Sequence, residues 1–234
     1  MLLFEEEIGF LPGFRINTDG TPGICFLWQH NWSVCQLLDY AHLHLPLLTL
    51  PDTEKCCVKR QKEKLSVAVM AGMLLGWQTQ ISHAPNGKPY IERSSMQISI
   101  THTDNIYGIG ISRSRYGIDA ESWGSKAYRL RHKFLKESEL PLLDRLFPTH
   151  PDRSATALWS AKEAVYKAFD IRNLGLKEDI TLLSGRTSET LNASFPHHNF
   201  PPATVTLHPC PSCIVTCCLQ TVPNRTVSVS FSDK

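Results

Sequence analysis

Two acidic side chains in the middle of the chain have a spacing that suits phosphate chemistry. Asp119 and Glu121 alternate within Gly117 to Ser122, so an extended backbone would place both carboxylates on one face. Neighbouring carboxylates repel and raise each other's pKa unless a cation lies between them. Oxygen ligands in this arrangement suit Mg²⁺, which completes its shell with water and substrate phosphate. Taken alone, an Asp-x-Glu pattern more often marks the exposed acidic end of a strand than a metal site.

A later segment, residues 158–169, supplies a third carboxylate and an amine. It contains no Gly or Pro and is rich in good helix formers, which predicts an α-helix. At about 100° per residue, one face is apolar: Leu158, Ala161, Ala164, Val165, Ala168 and Phe169. The opposite face carries Trp159, Glu163, Tyr166 and Lys167. Glu163 and Lys167 are either an ordinary i,i+4 surface pair or two functional groups facing a cleft.

Cations precede these motifs in two places. Lys59, Arg60, Lys62 and Lys64 crowd the start of a helix predicted to continue through the apolar run 65–75 into the core. They form either a solvated helix end or a site over a bound anion. Further on, Asn86-Gly87 predicts a tight turn with Lys88 just beyond it.

The segments flanking His102 predict a β-hairpin. Residues 96–101 alternate between apolar and polar side chains, as in a half-buried strand that His102 closes. A turn is predicted at 103–105 and a returning strand at 106–112. A histidine at the end of a strand usually has a structural role. The alternative for His102 is that it contacts a ligand.

The remaining chain predicts a mixed α/β protein. We expect short β elements in residues 1–35, helical spacing from 32 to 50, and one or two helices in 125–146. Closing strands are predicted at 180–183, 204–219 and 227–231, with a loop or irregular hairpin over 184–202.

Composition excludes several classes of protein. The 234 residues are 42% hydrophobic and 20% charged, as in an ordinary globular protein. The net charge of +2 is too small for non-specific nucleic-acid binding. The N-terminus does not resemble a signal peptide, and no apolar run approaches about 18 residues. We therefore expect a cytoplasmic protein without membrane segments. Its eight cysteines, including Cys210-x-x-Cys213, are expected to be free, inert thiols in or beside a late strand.

Four motifs follow one another in a fixed order: Gly-Lys-Pro-Tyr at 87–90, Thr-His at 101–102, Gly-Ile-Asp-x-Glu at 117–121 and Trp-Ser-x-Lys-Glu-Ala-x-x-Lys at 159–167. Between about Lys59 and Lys177 the chain resembles the Sfp-type 4′-phosphopantetheinyl transferases of the holo-[acyl-carrier-protein] synthase superfamily. The resemblance implies an α/β (α+β) fold of two halves related by a pseudo-twofold axis, residues 1–115 and 116–234. The active site would lie in the cleft between them, with the metal-binding carboxylates on the second half.

The resemblance also implies a reaction. A serine hydroxyl of an apo acyl or peptidyl carrier protein attacks the β-phosphate of coenzyme A in the presence of Mg²⁺. The carrier gains the 4′-phosphopantetheine arm, and adenosine 3′,5′-bisphosphate leaves. The enzyme would be a monomer, since both halves lie in one chain, and the identity of the carrier stays open.

Matching the motifs position by position implies a set of roles. Asp119, Glu121 and Glu163 would bind Mg²⁺, and either Glu163 or a metal-bound water would be the general base. Lys167 would lie at the pyrophosphate, so that Glu163, Lys167 and Asp119 form the catalytic set. The expected contacts of coenzyme A are Arg60, Lys88, Thr101, His102, Asp119 and Lys167, with His102 at the 3′-phosphate. Lys162 would point elsewhere, because it lies about 100° from Glu163.

One departure from the family pattern, two alternative functions and one question about the basic residues remain. Many relatives have Arg-x-x-Glu-x-Leu-x-x-Arg on a helix of the first half, but Ala68 stands at the last position. A phosphate contact is therefore either missing or supplied by Lys59 or Lys64. The chain could instead be a non-catalytic coenzyme A or nucleotide-binding module, or a Mg²⁺-dependent phosphoesterase. The basic residues at 126, 129, 131, 133 and 136 would either attract an acidic carrier or form a solvated face.

Overall fold

The computed structural model describes residues 4–8, 11–17, 23–169 and 174–220, with the backbone alone for the first two segments. Strands and helices are numbered in chain order. The first sheet is antiparallel with the order β1-β2-β3-β7-β6. Its strands are β1 (Phe4–Ile8), β2 (Leu11–Asn17), β3 (Gly23–Gln29), β6 (Gln97–Thr103) and β7 (Ile106–Ser112). The predicted early strands and the 96–112 hairpin are therefore confirmed.

A second antiparallel sheet has the order β8-β12-β11-β10-β9. Its strands are β8 (Tyr116–Ser122), β9 (Thr181–Ser184), β10 (Thr190–Ser194), β11 (Ala203–Pro209) and β12 (Cys213–Gln220). The predicted 184–202 segment thus contains a hairpin strand, and the 204–219 region forms two strands. The strand predicted at 227–231 lies outside the described residues.

A small ribbon of β4 (Ile81–His83) and β5 (Pro89–Ile91) encloses the predicted turn. Gly87 has a φ of +88° there, a conformation that glycine adopts without strain. The ribbon places Lys88 immediately before β5.

Five helices are described: α1 (Val34–His44), α2 (Val58–Leu75), α3 (Lys126–Leu130), α4 (Pro141–Leu146) and α5 (Pro151–Phe169). The predicted α5 is confirmed, but it begins earlier than residue 158, at Pro151, because proline is well accommodated in a first helical turn. The 125–146 region is more broken than predicted, with two 3₁₀ turns between α3 and α4. The apolar face predicted for α5 is buried throughout.

The helix α5 packs directly on β8 and β12 of the second sheet. Gly117 makes this close approach possible, because a Cβ at that position would lie 2.0 Å from the carbonyl oxygen of Ala164 and 2.5 Å from the nitrogen of Ala168. Asp119 and Glu121 follow Gly117 at intervals of two residues. The glycine therefore brings the carboxylate-bearing face of β8 against the helix that carries Glu163.

Side-chain hydroxyls join the two sheets where their edge strands β6 and β8 meet. Ser99 Oγ accepts a hydrogen bond from the backbone nitrogen of Ile118 (3.0 Å), and Thr101 Oγ1 accepts one from Ala120 (2.9 Å). Thr103 Oγ1 accepts from the nitrogen of Ser122 (3.2 Å). Alternate residues of β6 thus satisfy amides on the edge of β8 that does not pair with β12.

The mixed α/β class is confirmed, whereas the pseudo-twofold relation and the boundary between residues 115 and 116 stay predictions. The eight cysteines are free thiols, as expected. Cys210 and Cys213 flank the turn between β11 and β12, and Cys217 and Cys218 lie in β12. None of the helices in the described parts of the chain is long and apolar enough to cross a bilayer.

Candidate active site

Asp119 lies at the junction of the two sheets and of α5, and only 5% of it is exposed. Its Oδ1 accepts a hydrogen bond from Lys167 Nζ at 2.7 Å and a longer one from Thr101 Oγ1 at 3.3 Å. Its Oδ2 is buried without a hydrogen-bond partner in the described structure. A buried, unsatisfied carboxylate oxygen is costly, which marks this position as one prepared to contact a ligand.

Glu121 is half-buried two residues further along β8. Its Oε1 accepts a hydrogen bond from the indole Nε1 of Trp159 at 2.9 Å. Burial raises the pKa of Glu121, and the negative charge of Asp119 raises it further, while the bond from Trp159 and the charge of Lys167 act in the opposite direction. Helical periodicity predicts that Trp159 shares a face with Glu163, but it gives Trp159 no role.

Glu163 is half-buried on α5, one turn before Lys167. Burial is the main cause that raises the pKa of Glu163, and the charge of Asp119 adds to it, whereas Lys167 lowers it. The carboxylates of β8 and α5 therefore interact electrostatically across the junction. A carboxylate whose pKa is raised becomes a stronger proton acceptor.

One observation argues against Mg²⁺ binding by these residues, and another argues for it. Within the described residues, no group of three or more His, Cys, Asp or Glu side chains is arranged to hold a metal ion, and Lys167 already occupies Oδ1 of Asp119. The chemistry of the donors nevertheless fits, because carboxylate oxygens are the ligands Mg²⁺ prefers and Oδ2 of Asp119 is unpartnered. The predicted metal set of Asp119, Glu121 and Glu163 stays a prediction.

A cavity of about 680 Å³ opens beside this junction. It is lined by seven of the predicted site residues: Arg60, Lys88, Thr101, His102, Asp119, Glu121 and Lys167. Glu163 does not line it but lies next to Asp119 and Lys167. Tyr166, which is exposed on the same helix face as Glu163, and Ala68, the position that departs from the expected helix pattern, also line the cavity. Residues separated by more than a hundred positions in the sequence thus share one recess.

At a second part of the cavity wall, Glu63 joins two of the predicted phosphate contacts. Its Oε2 pairs with Arg60 Nη1 at 2.9 Å, and its Oε1 lies 3.4 Å from His102 Nδ1. Burial lowers the pKa of His102, and Glu63 opposes this effect. The sequence matched Glu63 to a helix pattern without giving it a function, because its partner on β6 is 39 positions away.

The hydroxyl of Thr101 is already engaged within the protein. The side chain is 2% exposed, and its Oγ1 accepts from Ala120 and donates to Asp119. Its observed contacts position Asp119, while the predicted contact with coenzyme A stays a prediction.

Lys162 points away from the site, as the helical geometry predicted. Its Nζ is fully buried and donates to Glu139 Oε2 at 2.8 Å and to the carbonyl oxygens of Leu176 and Ile180, both at 2.9 Å. The second oxygen of Glu139 accepts from the backbone nitrogen of Leu182. The motif lysine therefore connects α5 to the segment that follows it.

Comparison with known protein families gives one match. A sequence model described as the 4′-phosphopantetheinyl transferase superfamily matches residues 115–215, which include β8, α5 and the carboxylates but less than half of the chain. No curated protein gives a significant match. The matched part is thus similar to this superfamily, and the assignment to its Sfp-type members stays a prediction.

Proposed function

We propose that this protein transfers the 4′-phosphopantetheine group of coenzyme A to a serine of an apo acyl or peptidyl carrier protein. The observation that carries the proposal is the shared cavity: the separate motifs of the first and second sheets line one recess, next to the ion pair of Asp119 and Lys167. The superfamily match to residues 115–215 supports the same class of reaction.

In this proposal the cations of the recess bind the phosphates of coenzyme A. His102 lies on β6 of the first sheet, Arg60 on α2 and Lys88 immediately before β5. His102 is assigned to the 3′-phosphate. Lys167 lies at the diphosphate. Asp119, Glu121 and Glu163 would hold Mg²⁺, which when bound would neutralise negative charge on the diphosphate.

The transfer itself requires a proton acceptor and a stabilised leaving group. The carrier serine oxygen forms a bond to the β-phosphorus of coenzyme A, and the bond from that phosphorus to the bridging oxygen breaks. Glu163 accepts the serine proton, because its raised pKa suits a general base. The Lys167 ammonium stabilises the charge that develops on the departing adenosine 3′,5′-bisphosphate.

An acidic carrier would meet positive charge beside the second sheet. Lys126, Arg129 and Lys133 are exposed there. Arg131 instead lies over the ring of Tyr128 at 4.2 Å, and Lys136 donates to Glu178 and Thr181. Three of the five predicted basic residues are therefore exposed for docking. A monomeric state and a cytoplasmic location stay predictions.

The test is a mass measurement on an apo carrier protein incubated with coenzyme A, Mg²⁺ and this protein. We expect the carrier to gain the mass of one phosphopantetheine group, and we expect Glu163→Gln to abolish the gain while the thermal unfolding midpoint is retained. A panel of apo acyl and peptidyl carriers would identify the preferred partner.

Two outcomes would replace the proposal with an alternative. Tight binding of coenzyme A without any mass gain across the panel would indicate a binding module. Release of nucleotide in the absence of a carrier would indicate a phosphoesterase.

A further inference from the structure

Glu63 is a buried carboxylate whose two oxygens face two different basic side chains, Arg60 and His102. Only 7% of the residue is exposed. By contrast, half of the Arg60 side chain and 36% of the His102 side chain are exposed, and both of these residues line the cavity. Glu63 also lines the recess, but its side chain is far less exposed than those of Arg60 and His102.

This arrangement sets the orientation of His102. Because Glu63 Oε1 faces Nδ1 at 3.4 Å, a proton on Nδ1 can bridge the pair. The remaining ring nitrogen, Nε2, lies on the opposite edge of the imidazole, so the charged ring can donate from Nε2 to an anion while Nδ1 stays on Glu63.

The same carboxylate restrains Arg60. The guanidinium uses Nη1 for Glu63 at 2.9 Å, and a planar guanidinium has further donors in a fixed fork. An exposed arginine without such a partner would sample many rotamers and lose that freedom on binding. The ion pair with a buried carboxylate removes part of this cost in advance.

We propose that Glu63 is a positioning residue that holds Arg60 and His102 together as a clamp for the 3′-phosphate of coenzyme A. This inference rests on the proposed function, since that function supplies the ligand. Its consequence is selectivity: Glu63 strengthens the binding of coenzyme A and leaves dephospho-coenzyme A, which lacks only the 3′-phosphate, unaffected.

The experiment measures the dissociation constants of both ligands by calorimetry with the full chain and with Glu63→Gln. Because the variant loses the charge that restrains both phosphate-binding side chains, we expect it to bind coenzyme A roughly tenfold to a hundredfold more weakly. Dephospho-coenzyme A should change by less than about twofold. Glu54→Gln, an exposed residue before α2 that does not line the cavity, is the matched control and should alter neither constant.

Glu63→Asp provides a second variant that keeps the buried charge but shortens its reach. It should show the same selective loss with a smaller magnitude, and it tests the proposal if Glu63→Gln does not fold. Unchanged binding of coenzyme A, or equal loss for both ligands in the folded variants, would overturn the clamp, because equal loss is the signature of a purely structural role.

The two proposals can fail separately. A wild-type protein that prefers coenzyme A to dephospho-coenzyme A and loses that preference in the Glu63 variants, yet modifies no carrier, would refute the transferase and retain the clamp. A wild-type protein that modifies a carrier but binds both ligands equally would refute the clamp alone.

Discussion

Lys162 and Glu163 are adjacent in the sequence, yet their side chains lie on different sides of α5 and meet different partners. Lys162 has no exposed surface and pairs with Glu139 at 2.8 Å, whereas Glu163 is half-buried beside the charges of Asp119 and Lys167. Anchoring Lys162 in the interior restricts the rotation of α5 about its axis. The buried pair therefore contributes to the orientation of the site-facing residues.

Removing one member of this pair should destabilise the protein strongly. Lys162→Met keeps the length of the side chain but leaves Glu139 buried without its cation, which typically costs about 3–5 kcal/mol. Urea unfolding measures the loss. Lys177→Met is the control, because Lys177 makes an exposed hydrogen bond to His132 and should lose less than about 0.5 kcal/mol. A loss below about 1 kcal/mol for Lys162→Met would contradict this account.

A methyl group at Gly117 should separate α5 from β8. The Cβ of Gly117→Ala would clash with backbone atoms of Ala164 and Ala168, and overpacking of this kind costs about 1–3 kcal/mol or more. We expect reduced stability in urea and loss of the proposed transferase activity. Gly124→Ala is the matched control, since a Cβ there meets nothing within 4 Å; equal behaviour of the two variants would exclude a close-packing role for Gly117.

Replacing Thr101 by valine should affect both stability and the position of Asp119. Valine has the same shape but cannot accept from Ala120 or donate to Asp119, and a buried unsatisfied amide costs about 1–3 kcal/mol. We expect kcat to fall more than the KM for coenzyme A rises, measured by steady-state transfer.

Thr103→Val provides the comparison for that variant. Thr103 occupies the same row of hydroxyls but bonds to Ser122, so its loss should lower stability without the effect on kcat. An equal fall in kcat for both variants would show that the Asp119 contact of Thr101 is not the cause.

The stability of the protein should fall in acid because of His30. Burial lowers the pKa of His30 to about 4, and the charge of Lys62 contributes. Its Nδ1 accepts from the nitrogen of Trp32, which leaves Nε2 to donate to Ser66 Oγ at 2.9 Å. The neutral ring is therefore the form that the fold accommodates.

In the unfolded chain, histidine has a pKa of about 6.5, which is higher than the pKa of His30 in the folded protein. Below pH 6.5 this histidine takes up a proton in the unfolded state, whereas in the folded state it stays neutral until the pH approaches 4. The contribution of His30 to the free energy of unfolding is therefore intact above pH 6.5 and is lost as the pH falls towards 4. The upper limit of this contribution of His30 to stability is roughly 3 kcal/mol. Unfolding of wild type and His30→Gln across this window should show a shallower pH dependence for the variant; parallel curves would refute the assignment.

Local periodicity was sufficient for several features of this protein. The helical period predicted both the buried face of α5 and the outward direction of Glu163, and the period of two predicted the β6–β7 hairpin and the shared face of Asp119 and Glu121. These features depend on the backbone geometry of one segment, which its own residues determine. The sequence does not predict the start of α5 at Pro151, because a proline can equally mark a break before a helix or the first residue of one.

Only the tertiary structure decided which side chains meet. Lys167 and Asp119 are 48 positions apart, Lys162 and Glu139 are 23 apart, and Glu63 reaches His102 from a different element. The support that Thr101 gives to Asp119 also depends on this packing, while its expected ligand contact stays a prediction. The direction of a side chain within a helix or strand follows from the period of that element. Its partner on another element depends on how the helices and sheets pack. That packing is the sum of many contacts, and no single segment contains them all.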